Sequence, residues 1–150
     1  MYVTGKEFGK IKEYSLSTPW DVTTSNVTHI RDSVALLSTD DNPRNIQFSE
    51  EGTELYYAGN GSADMHKFTL STAWDVSTLS SSATTFDLGD RVGNMMGFIF
   101  TSSFSRLYVT NDGGKAAFNK VYEYALSCAC LLYTSPSPRD LSTSRMPSSA

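Results

Sequence analysis

Ser15-Leu16-Ser17-Thr18-Pro19-Trp20-Asp21-Val22-Thr23-Thr24 returns 54 residues later as Thr69-Leu70-Ser71-Thr72-Ala73-Trp74-Asp75-Val76-Ser77-Thr78. A third copy opens as Ala125-Leu126-Ser127-Cys128-Ala129 and stops there. A fixed period of this size means one supersecondary unit stacked on the next, each burying a face that it cannot bury alone.

Working outward, three further columns align at spacings of 52 to 56 residues. The first is Met1 to Gly5, Leu55 to Gly59 and Leu107 to Asn111. The second is Ile11 to Leu16, Met65 to Leu70 and Val121 to Leu126. The third has two members, Asn45 to Ser49 and Gly97 to Thr101. All are short, aromatic and β-branched, which suits pleated strands. The second column alternates apolar and polar, with one slip at Glu13/Tyr14. The first column is apolar at consecutive positions, which implies strands buried on both faces. A fourth strand is expected after each Trp-Asp-Val, around Val27 to Leu37 and around Ala83 to Leu88. No apolar period of 3.6 is sustained, so no helix is expected.

The connectors read as hairpins. Ser49-Glu50-Glu51-Gly52-Thr53 joins the third column to the first, with Gly52 able to take positive φ. Ser102-Ser103-Phe104-Ser105 lacks that glycine, so a different turn is expected there. Gly59 to Ser62 and Asn111 to Gly114 join the first column to the second.

Four consecutive antiparallel strands per repeat predict an all-β chain built as a β-propeller. Phe48-Ser49-Glu50-Glu51-Gly52-Thr53-Glu54-Leu55-Tyr56 resembles the FSPDGxxLYV signature of YVTN-type β-propeller repeats. Tyr108-Val109-Thr110-Asn111 matches the tetrapeptide that names that family. The Leu-Ser-Thr-x-Trp-Asp-Val element looks like a subgroup found in viral and bacterial surface or tail-associated proteins. The resemblance covers residues 1–129. It implies four-stranded blades, divided here into parts 1–37, 38–91 and 92–129. That is roughly 2.4 blades, where a closed ring needs at least about four. The departures are Glu50-Glu51 in place of Pro-Asp and Ser103-Phe104-Ser105 in place of the Asp-Gly turn.

Cys130 stands where the repeat would place Trp. From there Cys130-Leu131-Leu132-Tyr133-Thr134-Ser135-Pro136-Ser137-Pro138-Arg139-Asp140 matches the translation of a transposase sequencing adapter. Leu141 to Thr143 fits a sample barcode, and Ser144 to Ala150 fits the flanking primer. Residues 130–150 therefore read as a non-native, adapter-derived tail and are set aside from fold reasoning. A stretch so rich in Ser and Pro, without an apolar period, is expected to be disordered.

The chain carries 12 Lys and Arg against 16 Asp and Glu, a formal charge of −4. Setting aside Arg139, Arg145 and Asp140 makes it one unit more negative. Mild acidity without a basic run argues against a nucleic-acid or anionic-membrane partner. No stretch approaches the ~20 apolar residues of a membrane span. Met1-Tyr2-Val3 lies inside a strand pattern rather than a signal peptide, and aligns with internal positions of the other repeats. Only Cys128 remains once the tail is removed, so no disulfide framework is supported.

The sharpest candidates for a site are Trp20-Asp21 and Trp74-Asp75. One reading is an exposed aromatic beside a carboxylate, able to stack on a sugar. The other is structural: Trp fills space against the next repeat and Asp caps the following turn. Repetition favours the structural role. Asp40-Asp41-Asn42 offers oxygens to calcium but lacks a loop of calcium-binding spacing, and Asp41-Asn42-Pro43 reads as a turn. His29 and His66 align with no second zinc ligand. Gly113-Gly114-Lys115 lacks phosphate-loop spacing. Asn26-Val27-Thr28 and Asn60-Gly61-Ser62 fit glycosylation sequons. No catalytic set and no metal site can be assigned.

The leading expectation is a non-enzymatic interaction or structural propeller that binds a protein or glycan on a virion or cell surface. One alternative is a lactonase- or hydrolase-like propeller whose active site lies on blades outside this chain. Another is a calcium-stabilised scaffold.

Overall fold

The computed structural model describes residues 1–5, 9–36, 42–59, 64–88, 92, 95–111 and 120–126. The expected tail, Asp40-Asp41, Asn60-Gly61-Ser62 and Gly113-Gly114-Lys115 lie outside the described residues. Among the described residues the regular elements are ten strands and one 3-10 turn.

The strands form three antiparallel sheets, each a simple meander. Sheet one holds β1 (Tyr2–Thr4), β2 (Ile11–Leu16) and β3 (Val27–Asp32) in that order. Sheet two holds β4 (Pro43–Phe48), β5 (Glu54–Gly59), β6 (Asp64–Thr69) and β7 (Thr84–Asp87). Sheet three holds β8 (Met95–Phe100), β9 (Arg106–Asn111) and β10 (Val121–Ala125). Every strand column expected from the repeat falls on one of these elements. The slip read at Glu13/Tyr14 is a register shift between β2 and β3. A second irregularity repeats at equivalent points, Pro43/Asn45 and Met95/Gly97.

Sheet two is sandwiched between the other two, which explains its burial. β5 alternates its side chains between two cores. Leu55 and Tyr57 pack toward Ile11, Phe68, Leu70 and Val76. Tyr56 and Ala58 pack toward Met65, Phe98, Phe100, Leu107 and Val109. Consecutive apolar residues therefore stay buried on both sides of β5, as the first column predicts. β9 departs from that prediction. Its residues alternate, with Leu107 and Val109 buried and Thr110 exposed. β6 departs the other way: residues 65–68 are all buried. The reason is position. A strand with a sheet on each side is buried throughout; one with a sheet on one side alternates. Ile99 and Val121 of sheet three are correspondingly exposed.

Burial of β6 includes a charge. Lys67 is 6% exposed, and its Nζ donates to Glu54 Oε1 at 2.9 Å. The Tyr56 hydroxyl donates to Glu54 Oε2 at 2.8 Å. Burial by itself raises the Glu54 carboxyl. The bonds from Lys67 and Tyr56, with the lysine charge, overcome it and hold Glu54 below its ordinary range. Burial and the same carboxylate push the Tyr56 phenol up, so it stays a donor.

The hairpin turns correct one expectation. In sheet two, Ser49 N–H donates to Glu54 O at 2.9 Å and Gly52 N–H to Ser49 O at 3.0 Å, with Gly52 at φ 70°. The turn lacking glycine closes the same way. Thr101 N–H donates to Arg106 O at 3.0 Å and Phe104 N–H to Thr101 O at 2.8 Å. Phe104 takes the glycine's place at φ 50°. Left-handed backbone costs a non-glycine residue about 1–2 kcal/mol. The phenylalanine ring offsets this by stacking on Phe100, with centroids 4.9 Å apart, and by meeting Tyr56 at 5.7 Å.

Sheets two and three are also tied by side-chain amides. Gln47 on β4 accepts from Phe100 N–H at 2.9 Å and donates to Phe100 O at 3.4 Å. Asn45 Nδ2 donates to Phe98 O. These bonds satisfy the outer edge of β8 as a neighbouring strand would.

Candidate functional site

Each Trp-Asp motif folds into the same four-residue turn. Asp21 N–H donates to Thr18 O, and Asp75 N–H to Thr72 O, both at 3.2 Å. Trp20 and Trp74, third in their turns, both have φ 66°. Positive φ at that position is the type II pattern, where glycine is the ordinary occupant and Pro suits the second position, as Pro19 does. A tryptophan there is an outlier to be explained by its contacts.

The aspartates then order the next turn. Asp21 Oδ1 accepts from Thr23 N–H, and Asp75 Oδ1 from Ser77 N–H, each at 3.0 Å. These bonds, with those from the Thr23 and Ser77 hydroxyls, hold both carboxyls below the usual range. Asp75 caps the 3-10 turn Val76–Thr78. Asp21 instead accepts from Asn26 Nδ2 at 2.5 Å. Asn26 Nδ2 also donates to Thr23 Oγ1 at 2.9 Å, so the first sequon asparagine serves as a lock within the turn.

The surroundings of the two motifs differ. The Trp74 ring lies on Gly52, where an added Cβ would meet the indole at 2.3 Å. It packs against Phe48 with centroids 5.2 Å apart, and Phe48 against Tyr2 at 4.6 Å. The Trp74 N–H donates to Gly52 O at 2.9 Å, and the Tyr2 hydroxyl donates to Trp74 O at 2.7 Å. Trp20 has none of these partners and is 94% exposed.

Trp74 and Asp75 border a cleft of about 270 Å³ whose lining also includes Glu13, Arg31, Thr72 and Ala73. Arg31 comes from β3 and reaches across to sheet two, where Nη1 pairs with Asp75 Oδ2. Its Nε lies 3.4 Å from Glu13 Oε2. That contact is an ion pair without hydrogen-bond geometry, since Glu13 Oε2 is buried and accepts no hydrogen bond. Burial, Glu13 and Asp75 raise the Tyr2 phenol against the opposing Arg31 charge, so it remains a donor. The cleft therefore offers an aromatic surface, a threonine, and a guanidinium outnumbered by two carboxylates, one unit negative in all. Such a set suits a neutral polar ligand, one that stacks an apolar face and hydrogen-bonds at its rim.

The repeat reading named Trp74 and Asp75 but missed Arg31 and Glu13. Their signal was available only through register: Glu13 and Arg31 are directly opposite on β2 and β3. The structure does not bring Trp20 and Asp21 into this cleft. His29 pairs with Asp32 at 2.7 Å, and His66 shares a hydrogen bond with Thr85 at 3.1 Å. Among the described residues, no three His, Cys, Asp or Glu side chains are grouped as a metal site, and no helix is long and apolar enough to cross a membrane.

The chain matches no protein-family model, no curated protein and no solved structure.

Proposed function

We propose that this chain is a non-enzymatic interaction module of the β-propeller type, with its three sheets as successive blades of a YVTN-like repeat. Its binding site is the Trp74–Arg31 cleft, and its ligand is a neutral glycan or a protein loop of similar polarity displayed at a virion or cell surface. The observation that carries the reading is the cleft itself. It sits at the junction of two repeats, beside a tryptophan whose backbone is held by both. Trp74 is 44% exposed even though its ring rests on Gly52 and Phe48, so part of the indole stays open to a ligand. The two carboxylates around Arg31 outnumber its single charge, which disfavours anionic ligands and leaves polyhydroxyl ones favoured.

The test is a glycan array probed with the full chain and with Trp74→Ala. Retention of neutral glycans by the parent chain, and its loss in the variant, is the expected result. Equal retention by both proteins, or retention of charged glycans only, would overturn the cleft as the binding site.

A further inference from the structure

The polar groups around the Trp74 cleft are unevenly engaged. Its acceptors are largely taken. Asp75 Oδ1 accepts from the Ser77 N–H at 3.0 Å and from the Ser77 hydroxyl at 2.6 Å, while Oδ2 accepts from Arg31 Nη1. Glu13 Oε2 is buried out of a ligand's reach. The Thr72 carbonyl accepts from the Asp75 N–H and from the Thr78 hydroxyl, both at 3.2 Å. The Trp74 carbonyl accepts from the Tyr2 hydroxyl at 2.7 Å.

Arg31 is different. A guanidinium carries five N–H donors and no acceptor. Nη1 is committed to Asp75 and Nε lies against Glu13, so the Nη2 hydrogens have no acceptor among the described residues. The side chain is partly exposed, at 38%, and lines the cleft. An anion is the ordinary partner of such a fork. Here the surrounding carboxylates leave the cleft one unit negative and repel it. The acceptor that fits is a neutral one, a carbonyl oxygen. The rim selects further. Ala73 and Trp74 are both exposed on it, so an apolar group next to that carbonyl finds apolar surface to cover. An acetamido group carries an oxygen and a methyl on one planar carbon and meets both demands.

We propose that the cleft selects N-acetylated hexosamines, with the acetamido oxygen accepting from Arg31 Nη2 and the methyl lying on Trp74 and Ala73. Arg31 is then the specificity-determining residue and the indole is the platform. The inference rests on the reading of this cleft as a neutral-glycan site and narrows it. A plain hexose also accepts from Arg31 through a hydroxyl. That hydroxyl brings a proton to carboxylates already engaged or buried, and it brings no methyl to the indole. The acetamido sugar should therefore bind about tenfold more tightly, the effect of one buried methyl or one hydrogen bond.

The test titrates the full chain with N-acetylglucosamine, glucose and glucosamine, following the Trp74 indole N–H resonance by NMR. The expected order places N-acetylglucosamine about tenfold tighter than glucose. In Arg31→Leu that ratio should fall to about one while glucose still binds, which shows that the platform persists. Saturation-transfer NMR on the parent chain is free of any substitution, and the acetamido methyl should receive more saturation than the ring protons. Equal affinity of the parent for N-acetylglucosamine and glucose overturns the acetamido assignment and leaves the glycan site standing. So does a preference kept in full by Arg31→Leu, or a methyl no more saturated than the ring. Tightest binding by glucosamine overturns it too, because the carboxylates would then be the recognising groups. Binding of none of the three overturns the glycan reading and this inference with it.

Discussion

Trp20 and Trp74 occupy the same turn, at the same φ of 66°, yet one is 94% exposed and the other 44%. The next apolar residue shows the contrast more sharply. Val22 is 66% exposed, and Val76 is fully buried between sheets one and two. Two local hydrogen bonds are common to both copies: the turn closure and the Asp cap. The difference lies in what stands beside them. Trp74 has Gly52 and Phe48 under its ring, and Val76 has sheet one. The local motif thus sets the backbone, while burial depends on which strands its neighbours supply.

The largest effect should come from removing the close approach that separates the copies. Gly52→Val places a Cβ where the Trp74 indole lies and puts a β-branched residue at φ 70°. It should destabilise the fold by about 3 kcal/mol, read by denaturant unfolding. Gly9→Ala is the control, at φ 55° with open space around it, and should cost only about 1 kcal/mol. Equal losses would show that the indole contact contributes nothing beyond backbone strain.

Next in size is the paired truncation of the two valines. Val76→Ala should cost about 2 kcal/mol because it opens a cavity between sheets one and two. Val22→Ala should change stability by less than about 0.5 kcal/mol. A similar loss at both would mean that Val22 is covered in solution.

The Phe104 turn sharpens the comparison from the third sheet, where a side chain stands in place of Gly52. Phe104→Ala loses the ring and keeps the strained φ; Phe104→Gly loses the ring and the strain together. The glycine variant should therefore be the more stable of the two, by about 1 kcal/mol in thermal or denaturant unfolding. Equal stability would mean that the turn relaxes once the ring is gone.

The smallest effect is electrostatic. Hydrogen bonds within the turns depress both Asp21 and Asp75, and Arg31 adds to the depression only at Asp75. A carboxyl with a lowered folded value contributes stability above the ordinary aspartate range, around pH 4, and that stability is lost as pH falls through the folded value. Carbon-detected NMR titration should show both carboxyls below the ordinary range. Arg31→Leu should move Asp75 upward and leave Asp21 in place. Movement of both would contradict the separation of the two motifs.

Much of the strand plan was legible because side-chain pattern and turn residues act locally. Tyr56-Tyr57 announced a doubly buried strand, Gly52 announced a positive φ, and the slip at Glu13/Tyr14 announced a register shift. The Phe104 turn was not legible. Its lack of glycine pointed to another turn, and only the packing of its ring on Phe100 and Tyr56 made the same turn affordable. The full burial of β6 was hidden for a related reason: His66 and Lys67 look solvent-facing in sequence, but a sheet lies on each side of them. The cleft was half legible. Trp74 and Asp75 stood out by repetition, whereas Arg31 joins them across a sheet boundary.

By itself, the sequence determined the all-β class, the 54-residue period, the order of strands within each sheet and the shape of the Trp-Asp turn. These follow from interactions between residues close along the chain. Tertiary structure alone decided that Trp74 rests on Gly52 while Trp20 stands open, that Arg31 closes on Asp75, and that Gln47 holds the edge of β8. Those outcomes depend on which sheets come to lie side by side. Two identical motifs can differ in that respect without differing in a single residue of the turn's Trp-Asp-Val.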